Sequence, residues 1–376
     1  MTFDKCSFVL EHENDFKIDP CLYYYFLSIK NKKSADNLRS DWCNENNLVT
    51  LPKPTWSGWN AINSPTCDLT LLPEYSFFLQ FNFKLKKPYI SKDENEFYII
   101  DNPIRKDKVF GLPYVAPSSW KGSLRFAINQ LDKFGTEQIR RIFGNEKSDS
   151  ESLQKGSLYF YPTFFTEKSV EVINPHERDT RKGKNPIYFE CVPVDADGLF
   201  SILYIPMENK IKTINISQDL RVICEGIKSL FTANGFGAKT SSGFGIAEPE
   251  IKGKLIFKAK NIVKPQKEVL KPQIPVSFEK YLNGEGTVKK EFKGNGESGL
   301  LSNKQYSAED LKIGGSLSEF KKFKHWFNQN GEQWKSYVQS KNVAKPKWPT
   351  WTFKSFNDLI NQTKEINDLL MEIKGD

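Results

Sequence analysis

The chain has 376 residues, 38% of them hydrophobic and 14% aromatic, which is enough for one large core or two ordinary ones, and no apolar run approaches the length of a membrane span. Its six cysteines are scattered with no two at metal-ligand spacing, which argues against a zinc site and is typical of reduced thiols in a cytoplasmic protein. The net charge of +8 arises after residue 251, where 23 lysines and no arginine stand against 14 acidic residues, and this excess suits either a polyanionic partner or a solvated surface.

The first part of the chain predicts an irregular extension followed by a strand and a helix. Residues 1–70 show no repeat and no regular period, so we expect an N-terminal extension. Ser76–Leu85 (SFFLQFNFKL) predicts a strand, because apolar and polar residues alternate in its second half. A helix is expected to begin at Ser118 or Ser119, since serine is a favourable N-cap residue, and to run through Leu131.

Four further strands and a second long helix are predicted downstream. The strands are Ser157–Phe165, Pro186–Val192, Leu199–Ile205 and Phe244–Ile251, and the helix is Ser217–Thr232. We expect the second and third of these strands to pair. Asn174–Asn185 (NPHERDTRKGKN) is too polar for a core and is predicted to be a projecting loop or the end of a long hairpin. The order strand, helix, strand, strand, helix, strand predicts an α+β, ferredoxin-like core with insertions over residues 71–260, a plan that RNA-recognition modules also use.

The last third of the chain has a different composition. Residues 261–316 are rich in Pro, Gly, Lys and Glu, which predicts a flexible linker. Residues 317–376 combine helical periodicity with several Trp and Phe residues and a lysine excess. We therefore expect a basic, aromatic, helical C-terminal extension.

A glycine-rich loop, Asn234–Gly245 (NGFGAKTSSGFG), is the strongest local signal for binding chemistry. Glycines allow the backbone to approach a phosphate closely, and the hydroxyl groups between them add donors. A Walker A loop is excluded because Ala238 separates Gly237 from Lys239, and a dinucleotide fingerprint is excluded because Thr240 stands where a glycine is needed. Both of those motifs also precede a helix, whereas this loop follows one. Polymer phosphates or a purely structural turn remain as explanations.

The second signal is the predicted helix start at Ser118, Ser119 and Lys121, with Arg125 one turn further on. The free N–H groups and the dipole at a helix N-terminus attract anions, and the lysine would add charge. An ordinary capped helix is the alternative.

Together these segments resemble the RAMP superfamily, the backbone subunits of type III CRISPR effector complexes. The family carries a segment like Asp-x-Pro-x-x-Arg-Asp and then Gly-x-Pro-Tyr-Ile-Pro-Gly-Ser-Ser-x-Lys-Gly-x-x-Arg, which here read DNPIRKD at Asp101–Asp107 and GLPYVAPSSWKGSLR at Gly111–Arg125. A glycine-rich loop after the second helix is also shared. The resemblance spans about Ser76–Ile251. It departs at Ala116–Pro117, where the family has Pro-Gly, and at Trp120, where it has a small or aliphatic residue.

The resemblance implies a ferredoxin-like core with a projecting thumb that holds CRISPR RNA along the glycine loop. It also implies contact with target RNA and stacking against other effector subunits. The residues that it implies for RNA binding are Ser118, Ser119, Lys121, Arg125, Gly235, Gly237, Lys239, Thr240, Ser241, Ser242 and Gly243, with Arg178 and Arg181 in the thumb.

Asp101 is the residue that the resemblance implies for cleavage of target RNA, because many of these subunits have an aspartate at this distance before the Ser-Ser block. Its carboxylate would bind a divalent metal such as Mg²⁺ or help to position the ribose 2′-hydroxyl for in-line attack. Asp93, Glu94 and Asp107 are rivals for the role. The alternative is a turn carboxylate that bonds to its own backbone.

Two other functions are compatible with the sequence. One is a stand-alone endoribonuclease that processes precursor CRISPR RNA, and the other is a non-catalytic capping or adaptor subunit. His176 in the projecting loop would be the candidate general base, but with only three histidines in the chain a two-histidine nuclease is difficult to build. The long terminal extensions favour a specialised position in a complex.

Overall fold

The computed structural model describes residues 20–372 except 93–97, 146–153, 176, 178, 180–182, 184–185, 208–212, 261, 263–274, 284–286, 296–298, 309–314 and 343–346. The chain divides into two compact units. Unit one comprises residues 1–262 together with 348–376, and unit two comprises residues 263–347.

The helices of the described residues are α1 (Pro20–Lys30), α2 (Lys32–Glu45), α3 (Trp59–Asn63), α4 (Pro117–Gln130), α5 (Thr136–Phe143), α6 (Thr213–Ser229), α7 (Asn303–Ala308), α8 (Leu317–Asn342) and α9 (Phe356–Glu372). The strands are β1 (Val49–Thr50), β2 (Phe77–Lys84), β3 (Tyr114–Val115), β4 (Leu158–Phe160), β5 (Thr163–Phe164), β6 (Glu167–Ile173), β7 (Ile187–Cys191), β8 (Asp197–Tyr204), β9 (Glu250–Phe257) and β10 (Thr350–Ser355). Within this part of the chain, no helix is long and apolar enough to cross a bilayer.

Unit one is built on a five-stranded antiparallel sheet with the strand order β10–β9–β2–β8–β4. Strand β2 lies at its centre, and both of its faces are covered, so all residues from Phe77 to Phe81 are buried. On one face, Phe77, Phe81 and Phe83 belong to a core that also contains apolar side chains of α4, α6 and α9. On the other face, Phe78 packs in a smaller cluster with Leu69 and neighbouring side chains.

The prediction of an α+β fold is confirmed. The order β2, α4, β4, β8, α6, β9 runs through the chain as the sequence pattern indicates. Helix α4 begins one residue before the predicted serines, with Ala116 as N-cap and Pro117 as the first helical residue, because the fixed φ of proline suits that position. The last strand of this order begins at Glu250 instead of Phe244, since the preceding residues bond to other parts of the chain.

The expected pairing of the strands around residues 186–192 and 199–205 is wrong. Strand β7 pairs with β6 in a separate sheet of order β1–β6–β7, whereas β8 pairs with β2 and β4. The β6–β7 pair is thus a long hairpin that carries the polar segment 174–186 at its end. Alternation alone indicates which residues form strands, but it cannot indicate which strands become neighbours.

The last third of the chain also differs from the linker and single helical extension that the composition predicts. Within residues 261–316, Tyr281, Phe292 and Tyr306 are buried and pack with Phe320 and Phe323 of α8, so the described part of this stretch belongs to a small aromatic core in unit two. Residues 348–376 return to unit one, where β10 covers the edge of β9 and α9 packs against the sheet. Aromatic residues in a Pro- and Gly-rich stretch were the signal for this core.

A buried ion pair joins three elements of unit one. The Arg141 Nε group of α5 donates to Asp219 Oδ2 of α6 at 2.9 Å, and the Tyr204 hydroxyl at the end of β8 donates to the same oxygen at 2.7 Å. Asp219 is fully buried. Burial raises the pKa of Asp219, while the hydrogen bonds from Arg141 and Tyr204 oppose that rise.

We expect Asp219→Ala to lower the free energy of unfolding by about 3–5 kcal/mol, because it leaves a largely buried arginine without its carboxylate. Asp197→Ala is the matched control, since its partner Lys84 and Asp197 itself are both more than half exposed, and a change below about 1 kcal/mol is expected. Urea unfolding measures both. Equal losses in the two variants would contradict the role assigned to the buried pair.

Candidate nucleic-acid interface

The glycine-rich loop is anchored by Phe236, which is fully buried. Its ring centroid lies 4.6 Å from that of Trp120 and 5.4 Å from that of Tyr89. The Phe236 backbone N–H donates to the Gly245 carbonyl at 3.1 Å, and the Gly245 N–H donates to the Pro88 carbonyl at 2.8 Å. Both ends of the loop are therefore fixed to the core of unit one.

Three of the glycines serve this packing. Gly235, Gly237 and Gly245 all have positive φ, at 73°, 90° and 70°. A Cβ atom at Gly245 would overlap the Phe236 carbonyl, and one at Gly237 would meet the Ile90 carbonyl and the Tyr89 ring. These positions require glycine for conformation and for space.

The tip of the loop, Lys239–Gly243, differs from its base. Gly243 also has a positive φ of 83°, but no described atom lies within 4 Å of the Cβ position there. Lys239, Ser241 and Ser242 are exposed, and Thr240 is half-buried. Lys239 adopts a left-handed conformation, and its Nζ lies 5.0 Å from the ring centroid of Phe189 on β7. The tip therefore presents hydroxyl groups, backbone and a lysine to solvent.

Helix α4 meets the loop through Trp120. This residue is fully buried, its indole N–H donates to Thr163 Oγ at 3.1 Å, and its ring contacts Phe236. Leu124 and Ile128 follow on the same buried face at helical spacing. The departure from the family pattern at Trp120 thus has a structural explanation, since the indole fills the space beneath the glycine loop.

The other residues of the helix start lie on the opposite side. Ser118 and Lys121 are exposed, and Ser119 is half-buried. The pKa of Lys121 is lowered, first by partial burial and then by the nearby charge of Arg125. A bound phosphate would oppose that shift, because an anion favours the charged lysine. Arg125 is directed towards α5, with its guanidinium 6.0 Å from the ring centroid of Phe143.

Asp101 lies on a segment that is held against the β6–β7 hairpin. Its side chain is 80% exposed, and its Oδ2 lies 3.8 Å from the Nη1 of Arg39 on α2. The two preceding residues, Ile99 and Ile100, are buried, and the carbonyl of Asn102 accepts from the backbone N–H of Glu190 at 3.0 Å. The carboxylate is thus presented to solvent by a segment that is fixed on both sides.

Glu190 on β7 is the centre of a buried polar network beneath this segment. It is 1% exposed and accepts from Lys106 Nζ at 2.7 Å, Lys168 Nζ at 3.1 Å, the Tyr98 hydroxyl at 3.1 Å and the Ile104 N–H at 3.2 Å. Sequence reasoning missed Glu190 and Arg39. A single carboxylate within a predicted strand gives no signal of such a network, because its partners are distant in sequence.

Of the acidic residues that rival Asp101 for the cleaving role, the structure describes Asp107. Asp107 accepts from the N–H groups of Val109 and Phe110 at 2.9 and 3.0 Å, so it is the turn carboxylate. Asp93 and Glu94 lie outside the described residues, and so do Arg178, Arg181 and His176 of the projecting loop. Among the described residues there is no group of three His, Cys, Asp or Glu side chains that could hold a metal.

The site is therefore a basic helix start and a glycine-loop tip that share one aromatic base on an α+β fold. A family model described as the RAMP superfamily matches residues 49–248, more than half of the chain, and the chain belongs to this superfamily. Among solved structures, a chain of the type III-B Cmr-beta assembly bound to cognate target RNA, studied by cryo-EM, is 17% identical with a TM-score of 0.48, and the match covers 67% of this chain and 87% of that one. No curated protein matches the chain.

Two substitutions compare the tightly packed base of the glycine-rich loop with its open tip. Gly243→Ala is expected to cost about 1 kcal/mol, the strain of a left-handed alanine. Gly245→Ala has similar strain, but its methyl group also overlaps the Phe236 carbonyl, so we expect a loss of about 3 kcal/mol or more. Chemical denaturation of the two variants measures the difference, and similar losses would show that the base is not tightly packed.

Proposed function

We propose that this chain is an RNA-binding subunit of a type III CRISPR effector complex, and that it holds CRISPR RNA on α4 and the glycine-loop tip. The contact between Trp120 and Phe236 carries the proposal, because it links two separate basic, donor-rich segments through one aromatic core. Membership of the RAMP superfamily supports the same assignment. The partners proposed are CRISPR RNA, target RNA and neighbouring effector subunits, assembled in the cytoplasm.

The chemistry of this surface suits the RNA backbone. N–H groups in the first turn of α4 and at the loop tip can donate to phosphate oxygens, and Lys121 and Lys239 supply charge. Exposed Ser118, Ser241 and Ser242 add hydroxyl donors. Contacts of this kind position a strand without selecting its sequence, so base pairing by the guide would supply the specificity.

We further propose that the core of unit one is ferredoxin-like and that the β6–β7 hairpin is the thumb. The strand order β9–β2–β8–β4, with α4 after the first strand and α6 after the third, supports the core assignment. The hairpin carries the polar segment 174–186 at its end. Arg178 and Arg181 of that segment would contact the duplex of guide and target through phosphates.

Lys121→Ala together with Lys239→Ala is expected to weaken guide RNA binding by about tenfold or more, since each lost phosphate contact removes part of the counterion-release free energy. Lys121→Ala and Lys133→Ala form the matched single-site comparison, because Lys133 is also exposed but lies beyond the other end of α4. Filter binding of the purified chain to its co-purified RNA measures the loss. An equal loss of affinity in the Lys121→Ala and Lys133→Ala variants would favour diffuse electrostatic attraction over the proposed site.

Cleavage of target RNA at Asp101 is a second proposed function, and the fixed, exposed carboxylate is the observation that favours it. Mg²⁺ is commonly held by one or two carboxylates with water and substrate phosphates completing its shell, so a single aspartate beside RNA fits this ion, which would replace the Arg39 guanidinium, 3.8 Å from Asp101, as the cation at that carboxylate. When bound, Mg²⁺ would supply charge stabilisation at the scissile phosphate. Asp101 would hold it, and the Asp101 segment would keep that carboxylate in position for a 2′-hydroxyl attack.

Asp101→Asn in the assembled complex is expected to reduce Mg²⁺-dependent target cleavage by at least about a hundredfold while guide RNA binding is kept, because the amide cannot act as an anionic ligand or base. Asp195→Asn is the control, since it changes an exposed aspartate elsewhere in unit one. Mapping of the cleavage products on a labelled target checks the outcome. Unchanged cutting at every site would overturn the catalytic proposal, and cutting of a hairpin precursor by the isolated chain would favour the stand-alone nuclease.

A further inference from the structure

Unit two is a separate module that the family match does not include. It comprises residues 263–347, whereas the RAMP superfamily model ends at residue 248. Its aromatic core is its own, with Tyr306 and Phe320 stacked at 4.0 Å between centroids and Tyr281 and Phe323 stacked at 4.5 Å. In the sequence it is inserted between β9 and β10. Such an insertion can carry a function that the surrounding fold does not provide.

The charge of this module is strongly positive. Residues 263–347 contain 16 lysines and no arginine against nine acidic residues, so this segment alone holds nearly all of the net charge of the chain. Its exposed lysines include Lys290, Lys304, Lys321, Lys322 and Lys335. A net charge of this size attracts a polyanion over distances set by the ionic strength.

Helix α8 places two of these lysines, Lys321 and Lys335, and one glutamate, Glu332, on one exposed face. Phe320 and Phe323 are buried in the module core, and the opposite face is formed by polar side chains at helical spacing. The residues of this polar face are Lys321, His325, Asn328, Gln329, Glu332 and Lys335, and all of them are exposed.

A cleft adjoins the polar face. It has a volume of about 390 Å³ and is lined by Thr287, Phe327, Asn328, Gln329, Gly331, Glu332 and Lys335. This volume falls in the range of about 300–1,000 Å³ that is usual for ligand sites. Gly331 matters for its shape, because a Cβ there would lie 3.1 Å from the ring of Phe327. The cleft thus combines an aromatic ring, a hydroxyl, two side-chain amides, the carboxylate of Glu332 and the ammonium group of Lys335.

We propose that unit two binds single-stranded RNA, with the phosphates along the polar face of α8 and one nucleotide in the cleft. The module as a whole is basic, with 16 lysines against nine acidic residues, and lysines that lie beside an aromatic side chain are the arrangement by which single strands are bound without sequence preference. Lysines contact phosphates as point charges, and the module has no arginine for the bidentate contacts that read guanine. The polar face has no exposed aromatic or large aliphatic anchor, which a protein interface would use. This site is distinct from the proposed guide-binding surface of unit one.

The test uses the full chain with Lys121→Gln and Lys239→Gln already introduced, so that the proposed site of unit one is weakened. A fluorescein-labelled oligouridylate is titrated at several salt concentrations. Adding Lys321→Gln and Lys335→Gln is expected to lower the affinity by roughly tenfold and to reduce the slope of log K against log salt by about 1.4, since each contact to a single strand contributes about 0.7.

Lys290→Gln with Lys304→Gln is the matched control, because it removes the same charge from exposed positions of unit two outside the polar face of α8. Little change in this control supports the proposal. An equal loss in both pairs, or no loss with Lys321 and Lys335, would overturn it. The two sites are tested independently, since failure of the Lys121 and Lys239 substitutions to weaken guide binding counts only against the site of unit one.

Occupation of the cleft is tested with an oligonucleotide that contains 2-aminopurine. Stacking on Phe327 is expected to quench its fluorescence on binding, and Phe327→Leu should remove much of that quenching while the thermal unfolding curve confirms a folded chain. Quenching that persists in the folded variant would overturn the assignment of a nucleotide to the cleft.

Discussion

Packing of Phe236 against Trp120 is the contact on which the candidate RNA surface depends. The two rings lie 4.6 Å apart, and both also contact Phe231, which in turn packs on Phe81 and Phe83 of the central strand. Burial of each such ring contributes about 2–3 kcal/mol. The loop is therefore anchored in the main core, and the position of its exposed tip relative to α4 follows from that core.

Residues that are neighbours in sequence have different roles in this arrangement. In the helix start, Trp120 packs inward while Ser118 and Lys121 face solvent, as the period of 3.6 residues requires. In the loop, Gly245 is required by a close backbone approach, whereas Gly243 is in open space. The structural turn and the RNA-binding loop, which were alternatives from the sequence, are thus compatible, because different glycines serve each of them.

The sequence predicted the helices and strands of this fold better than it predicted which of them lie next to each other. Alternation in Phe77–Lys84 and the spacing of Leu124 and Ile128 are local patterns, so the strand, the helix and the α+β class could be predicted. The pairing of β7 with β6 and the return of β10 to the sheet depend on contacts between distant segments. Glu190 could not be recognised for the same reason, since its partners Lys106 and Lys168 lie 84 and 22 residues away.

The buried network at Glu190 also explains how the N-terminal helices relate to Asp101. Trp42 of α2 contacts Tyr98, whose hydroxyl donates to Glu190, and Cys43 packs with Ile99 and Ile100. Without α2, these two isoleucines would be exposed to water next to a partly uncovered ion network, which costs free energy on both counts. The exposed carboxylate therefore depends on residues before the family region as well as within it, since side chains of α2 and Tyr24 of α1 belong to the same apolar cluster as Ile99 and Ile100.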